Sequence, residues 1–218
     1  MYSLLIDSAN QPLSVAIMKD GEVLLTYTTT IKRNHSVQLM PMIEWLMKQA
    51  QLKPQDLSEV IVAEGPGSYT GLRIGVTTAK TLAYTLGIRL YGVSSLKALA
   101  VQIHSPHSYI IPVMDARRNH VFAGVYQWQA DRLVNVMEDQ YLSLEALIAQ
   151  WQTEDHVIFV GHDVTQFESE LASLTCVSQP PRADVMYQLK GEPRDVHTFI
   201  PQYLKLSEAE QNWLNQQQ

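Results

Sequence analysis

The stretch EVIVAEGPGSYTGLRIG, residues 59–75, decides the fold. Its opening EVIVA, dominated by Val and Ile, reads as a buried strand over residues 59–63. Residues 65–75 then hold four glycines and one proline, and helix-forming residues run from Thr70 to about Leu86. Strand, glycine loop and helix form the centre of an α/β unit. Upstream, YSLLI (2–6) reads as a strand, and residues 13–31 as two strands joined at Lys19-Asp20-Gly21, a hairpin signal. Residues 35–51 have helical periodicity, with Met40, Ile43, Met47 and Ala50 on one stripe and Leu39, Met42 and Leu46 beside it. That apolar face is too wide for one side of a surface helix, so it is sandwiched or meets a partner. Pro41 removes one helical hydrogen bond, and the helix is expected to begin or kink within a turn of it.

Downstream come strand 88–93, helix 94–103 and a linker, HSPHS, at 104–108. The pattern then restarts with strand YIIPVMDA, a turn at Arg117 to Asn119, strand HVFAGVYQW and an irregular third strand. Helix LEALIAQW, strand HVIFVG and helix VTQFESELASL follow, with no residue-level repeat. A duplicated unit implies two α/β lobes, residues 1–104 and 105–218, each with a mixed sheet, flanking helices and a cleft between them. Ser207 and Glu210 have capping-box spacing and mark a terminal helix anchored by Trp213.

The chain has 218 residues, with 16 Lys and Arg against 22 Asp and Glu, for a net charge of −6. Basic residues beyond pairs such as Lys32-Arg33 and Arg117-Arg118 do not cluster, which disfavours direct binding of a phosphate backbone. Cys176, the single cysteine, reads as a structural residue in a reducing compartment, and cytosol is the expected location. MYSLLIDSAN lacks the basic start of a signal peptide, and no window approaches the ~18 apolar residues of a membrane span.

A phosphate-binding P-loop needs a Gly-Lys-Ser/Thr ending, and Gly67-Ser68-Tyr69-Thr70-Gly71 holds no lysine. A dinucleotide fingerprint is disfavoured because the third glycine is displaced to Gly71 and the next strand ends YGVSS without an acid for ribose. Ser68 lacks the G-x-S-x-G frame of a nucleophile elbow. The local reading is that Ser68 caps the helix through the Thr70 or Gly71 amide while Gly65 and Gly67 supply unusual dihedrals. Gly71, Gly75, Ala79 and Ala83 recur every fourth residue, a small-residue face for close approach of another helix. Arg73 sits in the first turn, where the helix dipole disfavours a cation unless an anion arrives, expected across a protein interface. Asp7 and Asp115 end equivalent strands of the two halves, but the turns DSAN and DARRN contain no glycine, so both read as vestiges of a nucleotide site. The histidines, His104 and His107 included, show no metal spacing, and no metal site is expected.

LLIDSA, HSVQLMPMI, GPGSYTGLRIG, GVSSLKALA, VMDARRNHVF and PQYLKLSEAEQNW, in this order, resemble the bacterial TsaB family, also called YeaZ, across essentially the whole chain. The resemblance implies the two-lobed actin-like ATPase fold, with the duplicated ribonuclease H-like unit. It also implies the dimerisation subunit of the complex that adds threonylcarbamoyl to the adenosine beside the anticodon of tRNAs reading codons that begin with A. In that family the catalytic metal and the transfer belong to a paralogous partner, TsaD, and a small ATPase, TsaE, joins the assembly. The chain is then a scaffold without catalytic residues that activates TsaD, meeting tRNA only through the complex. The helix with Met40, Ile43 and Met47 and the helix with Leu72, Gly75 and Ala79 would form its half of a four-helix contact, beside the Gly65 to Arg73 loop. An exposed apolar patch implies a two-fold homodimer in isolation. No cofactor is expected to bind tightly, with room for weak ADP or ATP at the partner interface. The alternatives are an actin-like phosphotransferase or ATPase using Asp7 and Asp115, and a glycine-loop peptidase using Ser68 or Thr70.

Overall fold

The computed structural model describes residues 1–31 and 34–205. Lys32, Arg33 and the terminal helix expected around Ser207, Glu210 and Trp213 lie outside the described residues.

The first sheet holds β1 (Tyr2–Asp7), β2 (Leu13–Lys19), β3 (Glu22–Thr29), β4 (Leu57–Gly65) and β5 (Arg89–Ser94), ordered β3-β2-β1-β4-β5. β1, β2 and β3 pair antiparallel, while β4 and β5 join parallel. The β2–β3 turn is Asp20-Gly21, both at positive φ, as a two-residue hairpin requires. The second sheet holds β6 (Tyr109–Asp115), β7 (His120–Gln129), β8 (Arg132–Ser143), β9 (Val157–Gly161) and β10 (Thr175–Ser178), ordered β10-β9-β6-β7-β8. Each strand of the first sheet therefore has a counterpart five strands later, in the same order and with the same directions. Register shifts near Val125 account for the irregular third strand.

Strand alternation sorts the core into three layers. Leu4, Ile6, Val15 and Ile17 face α1 (His35–Gln49) and α2 (Tyr69–Leu86) on the outside of the first sheet. Leu5, Ile61 and Ala63 point the other way, onto Leu96 and Leu99 of α3 (Ser95–Ala100) and onto Ile110, Met114, Phe122 and Tyr126 of the second sheet. Val113, Val121 and Phe159 face Leu147 and Trp151 of α4 (Leu144–Trp151). The lobes thus share their middle layer, and Ser94 Oγ ties them by donating to Asp139 Oδ2 at 2.6 Å.

Several local expectations change. α1 starts at His35, capped by Asn34, so Pro41 falls in its second turn rather than at its start. The expected helix over VTQFESELASL is a short 3₁₀ helix, His162–Phe167, followed by turns. Cys176 is exposed on edge strand β10, not packed. After β10 the chain leaves the second sheet and returns to the first lobe, where the Ala183 amide donates to Ser14 Oγ at 2.9 Å and Lys190 pairs with Glu59. There the Arg194 amide donates to the Leu90 carbonyl, the Gln202 amide to the Glu64 carbonyl (both 2.7 Å), and Phe199 is buried against that lobe's outer core.

Candidate functional site

The four glycines of residues 65–75 answer to atoms of this chain itself, to backbone at Gly65, Gly67 and Gly71 and to the Ser8 side chain at Gly75. Gly65 has φ 123° and Gly67 φ 157°, values that favour glycine. A Cβ on Gly65 would strike the Gln202 carbonyl, one on Gly67 the Ala9 carbonyl, one on Gly71 the Ser8 carbonyl and one on Gly75 the Ser8 hydroxyl. The turn after β1 therefore fills the hollow of the glycine loop. It is locked there by the Ser68 amide donating to the Ala9 carbonyl (2.7 Å) and by Ser8 Oγ donating to the Gly71 carbonyl (2.8 Å). Ser68 Oγ accepts from the Gly71 amide at 3.3 Å, which settles the cap on Gly71 rather than Thr70. The glycine end of the small-residue face, Gly71 and Gly75, thus receives Ser8 and Val62 of β4, while Ala79 and Ala83 share the outer core with Leu39, Ile43 and Met47 of α1.

The expected interface residues divide by burial. Ile43, Met47, Leu72, Gly75 and Ala79 are buried within the lobe, because they are the inward stripe that covers the sheet. Only Met40, 49% exposed, is presented to solvent. Val37 and Trp45 of α1 are exposed as well, and Trp45 packs edge-on against the exposed Tyr27 of β3 with ring centres 5.8 Å apart. The wide apolar face therefore splits into a core side and an uncovered side.

Arg73 finds partners inside the chain. Its guanidinium lies 4.3 Å from the centre of the Tyr69 ring and its Nε donates to Tyr203 Oη at 3.2 Å. A cation–π contact of about 0.5–1 kcal/mol offsets the dipole cost at this helix start.

A cavity of about 630 Å³ opens between the lobes, lined by Asn10, His35, Ser68 and Thr70 on one side and by Asp115, Arg117, Phe122 and Asp163 on the other. Asp7 lies fully buried at the end of β1 and accepts from the Ala9 amide at 3.1 Å. Burial pushes its carboxyl up to about 6, against the pull of that hydrogen bond. Asp115 instead accepts from the Arg117 amide (2.8 Å) and guanidinium (2.9 Å). Asp163, missed in the sequence, accepts from the Asp115 amide at 2.9 Å, and burial raises its pKa. It follows β9 as the glycine loop follows β4, so extending the duplication to that strand end would have found it. Gln202, Tyr203 and Lys205, also in the lining, arrive from the returning C-terminal segment, which no local pattern announced.

The residues do not fit the phosphates that an actin-like ATPase holds. The turns after β1 and β6 offer no glycine, and the glycine loop is filled by Ser8 and Ala9. Among the described residues no three His, Cys, Asp or Glu side chains group in a way that could hold a metal ion. Among the described residues no helix is long and apolar enough to cross a membrane.

A family model described as TsaD, tRNA N6-adenosine threonylcarbamoyltransferase, matches residues 22–213. The tRNA threonylcarbamoyladenosine biosynthesis protein TsaB of Bacillus subtilis is 39% identical over a 228-residue alignment covering all of both chains. The TsaB of Escherichia coli K12 is 27% identical over 70% of each. In structure, YeaZ from Pseudomonas aeruginosa superimposes with a TM-score of 0.78 over 93% of this chain and 99% of that one, at 23% identity. The duplicated strand order and this match give the actin-like ATPase fold. Similarity over its entire length places the chain in the TsaB (YeaZ) family of tRNA threonylcarbamoyladenosine biosynthesis proteins.

Proposed function

We propose that the chain is the non-catalytic scaffold of a tRNA threonylcarbamoyladenosine-modifying complex, docking and ordering the catalytic TsaD subunit, with TsaE as a further member. The observation that carries this reading is the exposed Trp45 of α1 packed on the exposed Tyr27 of β3, with Val37 and Met40 of α1 also open to solvent. β3 is also the edge of its sheet. Exposed aromatic and Met side chains are what protein interfaces use as anchors. The filled glycine loop agrees with a role in which this chain lends surface and leaves the chemistry to its partner.

The test is a Met40→Glu/Trp45→Glu double variant. Both side chains are exposed, so stability is expected within about 0.5–1 kcal/mol of wild type. Co-purification with TsaD is expected to be lost, and threonylcarbamoyladenosine in tRNA digests to fall by about tenfold or more. Normal nucleoside levels with intact co-purification would refute the proposal.

A second reading, an ATP-hydrolysing or phosphoryl-transferring enzyme, draws on the buried Asp7 at the end of β1. It requires specific binding and turnover of ATP with magnesium by the isolated chain, and titration without turnover ends it.

A further inference from the structure

In the turn after β6, three consecutive residues that are not glycine hold left-handed backbone: Arg117 at φ 70°, Arg118 at 55° and Asn119 at 59°. A Cβ disfavours that region, and glycine would avoid the cost. The surroundings fix the turn in place. Asp115 Oδ1 accepts from the Arg117 amide (2.8 Å), the His120 amide donates to the Arg117 carbonyl (3.1 Å) and the Leu144 amide to the Asn119 carbonyl (2.9 Å). Strain of this kind, held by its neighbours, concentrates at functional segments, and here it carries two exposed arginines. In the sequence they are an isolated basic pair, but the fold adds a third cation. Lys205 of the returning segment donates from Nζ to the Ala116 carbonyl at 2.9 Å and lies 5.1 Å from the centre of the Tyr141 ring. Tyr141 stacks on His120, whose Nδ1 lies 2.8 Å from the Arg118 carbonyl. The acids nearby sit deeper than the cations. The Arg117 side chain is 80% exposed and that of its partner Asp115 13%, while Asp163, which accepts from the Asp115 amide, is buried. The ion pair therefore turns its positive end to solvent.

We propose that the Arg117-Arg118 turn, with Lys205, contacts the phosphate backbone of the tRNA directly, so that this chain helps to hold the substrate of the complex. The inference rests on the scaffold reading and adds a nucleic-acid contact to it. Exposed guanidinium groups on a fixed turn match the geometry and charge of phosphate. Tyr141 is already engaged with His120 and Lys205 and offers no platform for a base, so the contact is with backbone and independent of base sequence. Two or three cations do not hold a tRNA alone; they add to contacts made elsewhere in the complex. The turn belongs to the second lobe, whereas α1 and β3, which carry the docking surface, belong to the first. The two surfaces can therefore be tested separately.

The experiment measures binding of tRNA to the full chain and to its complex with TsaD, by fluorescence anisotropy over a series of salt concentrations. Arg117→Ala/Arg118→Ala is expected to weaken binding about tenfold and to flatten the slope of log affinity against log salt by about 1.4–1.8, the loss of two phosphate contacts. Arg117→Lys/Arg118→Lys is expected to restore most of that slope, because phosphate also accepts a point charge. Melting curves establish that both variants are folded, and TsaD is expected to co-purify with both. Wild-type affinity and slope in the folded alanine variant would overturn the proposal, as would an absence of tRNA binding by either wild-type form. Loss of TsaD from the alanine variant would assign the turn to a protein partner and overturn it too. Failure of the scaffold reading shows separately, as TsaD retained by Met40→Glu/Trp45→Glu, and the salt slope of the chain alone then decides the role of the turn.

Discussion

The turn after β1, Asp7-Ser8-Ala9-Asn10, and the turn after β6, Asp115-Ala116-Arg117-Arg118-Asn119, occupy the same place in two sheets of the same strand order. In the first lobe the turn is buried, and the 18-residue α2 presses its glycines onto it. In the second lobe the matching crossover holds only a 3₁₀ helix of 6 residues, and the turn stays open. There Arg117, Arg118 and Asn119 all take left-handed backbone, at φ 70°, 55° and 59°. Duplicated topology therefore does not duplicate environment. The element that crosses over each strand end decides whether an aspartate there is sealed in the core or left partly open beside an exposed turn.

The strongest way to break this contrast is to add bulk where the first lobe has none. Gly71→Val drives side-chain atoms into the Ser8 carbonyl, which as backbone cannot move aside. A loss of about 3 kcal/mol or more is expected, a fall in Tm of about 6–12 °C for a chain this long. A melting curve near wild type would show that the loop is not locked on the turn. For the same reason Gly75→Leu probes the fold, and outer residues such as Met40 are the ones that probe docking.

Next in size is the pH dependence set by Asp7. Its folded pKa of about 6 exceeds the ordinary 3.8, so the folded chain holds the proton more tightly than the unfolded one. This contribution to stability is complete below about pH 4 and is lost as pH rises through about 6, a change of about 3 kcal/mol. Asp7→Asn is expected to remove that part of the decline in urea denaturation between pH 4 and 7. The share from Asp139 and Asp163, which burial also raises, would remain. An unchanged profile would reassign the titration.

The smallest effect is expected in the second lobe. Arg117→Gly removes the ion pair to Asp115, whose Arg side chain is 80% exposed, and relieves a left-handed residue at φ 70°. The two contributions oppose each other and each is worth about 1 kcal/mol or less, so stability should stay within about 0.5–1 kcal/mol of wild type. A loss of several kcal/mol would make the two turns alike after all.

Much of the fold was legible in the sequence because strands and amphipathic helices carry period. EVIVA, the Asp20-Gly21 turn and the Ser68 cap each state a local geometry whose cause lies within a few residues. The helix over VTQFESELASL failed because its apolar spacing is met by a 3₁₀ turn, where Val164 and Phe167 bury without a longer helix. Of the candidate site, Asp7 and Asp115 were visible as matching strand ends. Asn10, His35 and the returning segment were not, since their partners lie 25 to more than 100 residues away.

By itself the sequence determined the α/β class, the duplication and the absence of a complete phosphate motif in residues 65–75, all of which follow from local composition and spacing. Tertiary structure decided what the glycines are for. A glycine reports only that something comes close, and which atoms come close depends on how β1, β4 and α2 are packed. The same holds for α1: its width in apolar residues is written in the chain, but which of them face the core and which are left exposed is settled by the sheet it lies on.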